Sequence, residues 1–213
     1  MPNYKGVIFD LDGTLIDSMH IWKKIDHEFL IKRGINVPDD YMEAIGHLSA
    51  YDTALYTIDR FNLTDTPQKL IEEWIDMALA EYSETKLKPG ATEYIDYLHS
   101  KDIKIAIATA TEPQIVKAAL ANKSIKDKIN IIVTISEVSR GKGFPDIYIK
   151  CAEKMNLIPK DCIVFEDILM GIKGAKSGGF YTVAMHDEIN KSTRNKIKSI
   201  CDKYIYDFTE MIE

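Results

Sequence analysis

The chain has 213 residues, enough for one large domain or two small ones. A hydrophobic fraction of 46% and a charged fraction of 28% suit a soluble globular protein, and no uninterrupted apolar stretch approaches the ~20 residues of a helical membrane span. The net charge of −6 argues against nucleic acid as the main partner, yet leaves room for a small anionic ligand, because one lysine and a metal ion can reverse the field locally.

The opening MPNYKGVIFD carries no signal-peptide pattern, since its short apolar run goes straight into Asp10; a cytoplasmic protein is expected. Residues 6–9 read as a buried strand that ends at Asp10. Asp12 follows two positions later, and Gly13 frees the backbone to turn. Residues 18–86 show no β-rich run. Trp22, Ile25 and Phe29 recur at helical spacing, with Gly34 as the stop. Leu70, Trp74 and Ala78 repeat at four, as do Ile71, Ile75 and Leu79. An all-helical insert is predicted, with both tryptophans in its core and hinges near Asp17–Ser18 and Leu87–Pro89.

Beyond residue 100, short apolar runs alternate with helical patterns. Strands are predicted at 104–109, 131–134, 162–165 and 181–184. Helices are predicted from Pro113, from a first turn at Pro145, and around Ile172 and Ala175. The basic stretch from Lys191 to Lys203, with Ile197 and Ile200, reads as a solvated helix face. This alternation indicates βαβ units and a parallel sheet of at least five strands, an α/β fold. Cys151, Cys162 and Cys201 lack metal-ligand spacing, and the first two read as core residues.

Chemistry-bearing residues fall at the predicted strand ends. Thr109 closes the second strand, Lys142 precedes the Pro145 helix, and Glu166 and Asp167 follow the 162–165 strand. Alone, each has an ordinary explanation: a cap, a solvated lysine, an acidic helix start. Together they supply what phosphoryl transfer needs. Asp10 and Asp167 can share Mg²⁺, Thr109 can donate a hydrogen bond, and Lys142 adds a positive charge.

DxDGT at 10–14, Thr109, Lys142 in GKGFPD and the acidic pair in FEDILMGIKGA resemble the four motifs of the haloacid dehalogenase superfamily, in family order. The nearest branch is that of β-phosphoglucomutase and small-metabolite phosphatases. The resemblance implies a Rossmann-like parallel-sheet core over residues 1–17 and 87–213 and a helical cap over 18–86. It implies Asp10 as the nucleophile and Asp12 as the general acid and base, with the Asp12 backbone carbonyl on Mg²⁺. Asp10 and Asp167 are implied as further ligands, with Glu166 either a ligand or an orienter of Lys142. Thr109, the Ala110 amide and Lys142 are implied to hold the phosphoryl group.

Asp12 points away from dehalogenation, which needs no proton on the leaving halide. The cap stretch IGHLSAYD has no lysine, which discounts phosphonate cleavage through a Schiff base. A mutase needs a cap cation for a second phosphate, and GHLSAYD lacks the expected arginine; Lys69, Lys86 and Lys88 are the candidates to replace it. A phosphatase acting on a small phosphorylated metabolite is therefore preferred over a phosphosugar mutase, and both over a catalytically silent binding protein. His20 and His47 are cap residues that could touch substrate. Oligomeric state is not legible in the sequence, and a monomer is compatible with it.

Overall fold

A computed structural model describes residues 4–45 and 48–212. Strand β1 (Gly6–Phe9) lies at the centre of a six-stranded parallel sheet. Helices α1 (Met19–Ile31), α2 (Tyr41–Ile45), α3 (Ala50–Phe61) and α4 (Pro67–Glu84) follow it before the chain returns to the sheet. Helix α5 (Ala91–Ser100) leads into β2 (Lys104–Thr109), then α6 (Pro113–Ala121) into β3 (Ile131–Thr134). Helix α7 (Asp146–Lys154), β4 (Cys162–Glu166), α8 (Leu169–Ser177), β5 (Tyr181–Met185), α9 (Arg194–Ile200) and β6 (Lys203–Ile205) complete the order. The strands run β3-β2-β1-β4-β5-β6, so the sheet reverses direction of build at β1. Every strand carboxyl end therefore lies along one edge, and the crevice opens beside β1.

The five expected strands are present, with two adjustments and one addition. Glu166 is the last residue of β4 rather than the first after it, and β5 runs on to Met185. The edge strand β6 leaves no signature in the sequence, because three residues cannot display an alternating pattern. Pro145 caps α7 from outside, and the helix proper begins at Asp146. The basic C-terminal helix is shorter than its charge pattern, with Ile197 buried on its inner side.

The period of two along β1 divides the core. Val7 and Phe9 face a cluster that holds Ile107, Phe165 and Val183, whereas Ile8 faces a second one with Ala106, Val164, Ile147 and Cys151. Phe9 stacks on Phe165 at 5.0 Å between ring centres. Burying each such ring contributes roughly 1.5–3 kcal/mol. The first cluster continues through Leu11, Leu15 and Ile16 into Ile25, Phe29, Leu70 and Trp74 of the helical insert. Trp74 meets Phe29 edge-on at 5.3 Å, and Trp22 leans on Tyr82 at 6.1 Å.

The two linkers run side by side. Ile16 bridges Leu87 in antiparallel fashion, the Asp17 amide donates to the Lys86 carbonyl at 2.9 Å, and the Lys88 amide donates to the Leu15 carbonyl at 2.9 Å. Cys151 and Cys162 are buried thiols and Cys201 is half-buried, all unpaired. Among the described residues, no helix is long and apolar enough to cross a membrane.

Candidate active site

The carboxyl ends of β1, β2 and β4, with the loop before α7, bring the predicted residues into one crevice. Asp10 continues the β1 ladder, its amide donating to the Phe165 carbonyl at 2.9 Å. Its side chain is only 6% exposed. The Lys142 ammonium donates to Asp10 Oδ1 and to Glu166 Oε1, the latter at 2.7 Å. Tyr148 donates to the same Glu166 oxygen at 2.8 Å, and the amides of Asp167 and Ile168 reach Oε2 at 3.2 and 3.4 Å. The Glu166 carboxylate is thus occupied by four donors, one of them Lys142.

Asp167 is held from both sides. The Thr14 hydroxyl lies 3.2 Å from Asp167 Oδ1 and 3.2 Å from Asp10 Oδ2, so it sits between the two carboxylates. The Asn190 amide donates to Asp167 Oδ2 at 2.9 Å and to its backbone carbonyl at 3.1 Å. Asp12 has a separate set of partners. Ser18 and Tyr82 donate to its Oδ1 at 2.6 and 2.5 Å, and Thr111 donates to its Oδ2 at 2.5 Å. Three hydroxyls from the outgoing linker, helix α4 and the loop after β2 therefore converge on one carboxylate. Thr109 is fully buried, and its Oγ1 accepts the Thr111 amide at 3.0 Å, which leaves its own hydroxyl proton to donate. Ala110 is exposed above it.

The electrostatics follow from this crowding. Burial, then the charges of Glu166, Asp167 and Asp12, push the Asp10 carboxyl well above its ordinary range despite Lys142. Burial and Glu166 raise Asp167 to about 7, with Lys142 and Asn190 pulling the other way. Burial opposes the Lys142 charge, but Asp10 and Glu166 outweigh it and hold the ammonium above its usual range. Burial, with the Asp12 charge beside it, lifts Tyr82 far above the ordinary phenol, so it serves as a donor and keeps its proton.

Helix α8 presses on this network with two glycines three residues apart. A Cβ on Gly171 would meet Glu166 Cδ at 2.2 Å, and one on Gly174 would meet the Lys142 carbonyl oxygen at 2.0 Å. Both approaches are closer than any side chain allows.

The family model described as haloacid dehalogenase-like hydrolase matches residues 7–185. The chain belongs to that family. A phosphorylated carbohydrates phosphatase of Thermotoga maritima is 26% identical over 176 residues, covering 82% of each chain. A fructose-1-phosphate phosphatase of Escherichia coli is 26% identical over 180 residues, covering 84% of this chain and 95% of the relative. The crystal structure of a β-phosphoglucomutase from Clostridium difficile superposes with a TM-score of 0.79 at 20% identity, covering 98% of this chain and 93% of the other, which shows a shared fold. This haloacid dehalogenase-like hydrolase is a phosphoryl-transfer enzyme.

Asp10, Glu166 and Asp167 each offer an oxygen within 4.8 Å of the others, and all three are buried. An all-oxygen donor set suits a hard cation such as Mg²⁺. Crowded acids with a single lysine among them also fit the charge of such an ion. Glu166 takes two donors on each oxygen, whereas each oxygen of Asp10 and Asp167 takes one and keeps a lone pair for a cation.

The residues that the sequence reading missed are those that hold the motif side chains. Thr14 lay inside the DxDGT run but had no assigned role. Ser18, Tyr82, Thr111, Tyr148 and Asn190 had no motif to mark them. The cations considered for a second phosphate fare differently. Lys69 makes a surface pair with Asp65 at 2.8 Å, Lys88 is largely enclosed against Asp187 at 2.6 Å, and Lys86 is exposed. Arg60 also has its partner, Asp40, at 2.7 Å. His20 is exposed on α1, and His47, like Gly46 beside it, lies outside the described residues.

Proposed function

We propose that the protein is a Mg²⁺-dependent phosphatase of a small phosphorylated metabolite, working through an aspartyl phosphate on Asp10. The observation that carries this reading is the pairing of two carboxylates in different states of engagement. Asp10 lies against Lys142, suited to attack at phosphorus, while Asp12 is held apart from it by three hydroxyls. One carboxylate can act as nucleophile and the other as proton carrier.

In the first half-reaction, an Asp10 oxygen forms a bond to phosphorus as the ester P–O bond breaks, and Asp12 gives its proton to the leaving oxygen. In the second, Asp12 takes a proton from water, the water oxygen bonds to phosphorus, and the P–O bond to Asp10 breaks. Lys142, the Thr109 hydroxyl and the Ala110 amide hold the phosphoryl oxygens, and Glu166 keeps Lys142 in place. Asp10, Asp167 and the Asp12 backbone carbonyl would hold Mg²⁺, which supplies charge neutralisation for the phosphoryl group. Residues 18–86 act as a cap that closes on the site, excludes water and selects the substrate, about the linkers at Asp17–Ser18 and Leu87–Pro89.

A phosphatase is favoured over a mutase because GHLSAYD carries no arginine and, of the candidate cations, Lys69 and Lys88 pair with carboxylates, as does Arg60, which leaves Lys86 to serve a second phosphate. The phosphatase relatives make a phosphorylated sugar the first substrate class to test. The test is phosphate release from a panel of sugar phosphates, nucleotides and small phosphorylated acids, with and without Mg²⁺, beside conversion of β-glucose 1-phosphate. Release that needs Mg²⁺ and exceeds interconversion is expected. Efficient interconversion with little free phosphate would overturn the reading.

A further inference from the structure

The Lys88–Asp187 pair is buried at the joint between the returning linker and the loop after β5, with side-chain exposures of 11% and 9%. Neither residue hydrogen-bonds to Asp10, Asp12, Lys142 or Asp167, although the Asp187 charge acts on Asp167. Asp187 uses both of its oxygens. Oδ2 takes the Lys88 ammonium at 2.6 Å, and Oδ1 accepts the Ile189 amide at 2.9 Å, which caps the single 3₁₀ turn at Glu188–Asn190. That turn ends on Asn190, whose amide grips both the side chain and the carbonyl of Asp167. A continuous run of contacts thus leads from the linker, which bears Lys88 and pairs with Leu15, to the carboxylate at the end of β4.

We infer that Lys88 and Asp187 are positioning residues for Asp167: through the 188–190 turn and Asn190, they set the carboxylate orientation that receives the divalent cation. This inference rests on the reading of Asp167 as a cation ligand. The physical case has three parts. A buried ion pair is held only when both charges are partnered, and here the partner of Asp187 comes from the linker. The turn is a single 3₁₀ step with an exposed side chain, Ile189, so little apolar burial fixes it and the Asp187 cap matters more. Asp167 has one neutral donor on each side, Thr14 and Asn190, so loss of Asn190 frees its carboxylate to rotate. Outer partners of metal-binding carboxylates typically account for 10–100-fold in affinity.

The experiment is Mg²⁺ binding to the full chain without substrate, followed by titration calorimetry, with thermal unfolding measured beside it. Asn190→Ala is expected to weaken Mg²⁺ binding roughly 10-fold or more. Lys88→Met is expected to weaken it in the same direction, and Lys88→Arg to restore it, because a cation again faces Asp187. The double variant Lys88→Met with Asn190→Ala is expected to bind no more weakly than Asn190→Ala alone, since both act through one contact. Should Lys88→Met fold poorly, Lys88→Gln keeps a donor for Asp187, leaves the Asp187 charge and the Ile189 acceptor unchanged, and reports on the loss of the cation, with the same weakening expected. Variants that lose thermal stability but bind Mg²⁺ as the wild type does would overturn the inference while leaving the functional reading intact. A wild type that binds no Mg²⁺ would overturn the reading itself.

Discussion

Asp26 sits on the inner side of α1 with 6% of its surface exposed, and among the described residues neither a hydrogen bond nor an ion pair engages its carboxyl. Burial alone lifts it from 3.8 to about 7. The native state therefore holds a proton that the unfolded chain releases between about pH 4 and pH 7. Stability from this group is fully present below pH 4 and is lost as pH rises through 7. A shift of about three units corresponds to at most about 4 kcal/mol. Some 3 kcal/mol of it falls between pH 5 and pH 8. Asp26→Asn removes the titration, and the fixed cost of burying its amide is the same at every pH. The variant should therefore gain about 3 kcal/mol on the wild type from pH 5 to pH 8. Urea unfolding of both proteins at pH 5, 6, 7 and 8 checks this. A difference between variant and wild type that stays constant across that range would refute the burial argument.

Asp10→Asn should abolish Mg²⁺-dependent phosphate release with unfolding curves close to wild type; substantial turnover would remove Asp10 as nucleophile. Tyr82→Phe deletes one of three donors to Asp12, and a hydrogen bond to a charged group is worth about 1.5–3 kcal/mol, so kcat should fall roughly 10–100-fold with the fold retained. Steady-state rates on alkyl and aryl phosphates would show it, the alkyl ester losing more. Lys142→Met leaves Asp10 and Glu166 buried without their cation, which should cost about 3–5 kcal/mol of stability at neutral pH, read by denaturant unfolding. Burial and neighbouring acids raise Asp10 and Asp167, so the metal-free protein loses stability as pH rises through about 7, and the Mg²⁺-induced rise in Tm should be larger at pH 8 than at pH 5.5.

The sheet was legible because each inner strand is a short apolar run whose last residue meets a polar loop. Asp10 and Thr109 could be placed at strand ends from that boundary alone, and the structure sets both at the carboxyl edge. Tyr82 was hidden for the opposite reason. It lies four residues beyond Ala78 on the apolar stripe of α4, where an aromatic ring reads as core, and only the fold brings its hydroxyl to Asp12. Asn190 sits in a segment whose sole pattern is charge, and its partner lies 23 residues earlier in the chain. Asp26 runs against the pattern, since it is an acid on the same buried stripe as Ile25 and Phe29. Periodicity assigns such a position to the core without saying that a carboxyl will be confined there.

The glycine pair on α8 bears on how a mutational scan of this enzyme should be read. Gly171 and Gly174 bear no side chain, yet any atom added at either would collide with the Glu166 carboxylate or the Lys142 backbone. A library scored for activity would rank these two positions beside Asp10 and Lys142. Scored instead for expression and unfolding, they should part from the acids: substitutions at the glycines would lower protein yield, while charge-removing changes at Asp10 would leave it high. Intolerance at Gly171 and Gly174 measures the room left behind Glu166 and Lys142, and the two screens together would separate the shape of the site from its chemistry.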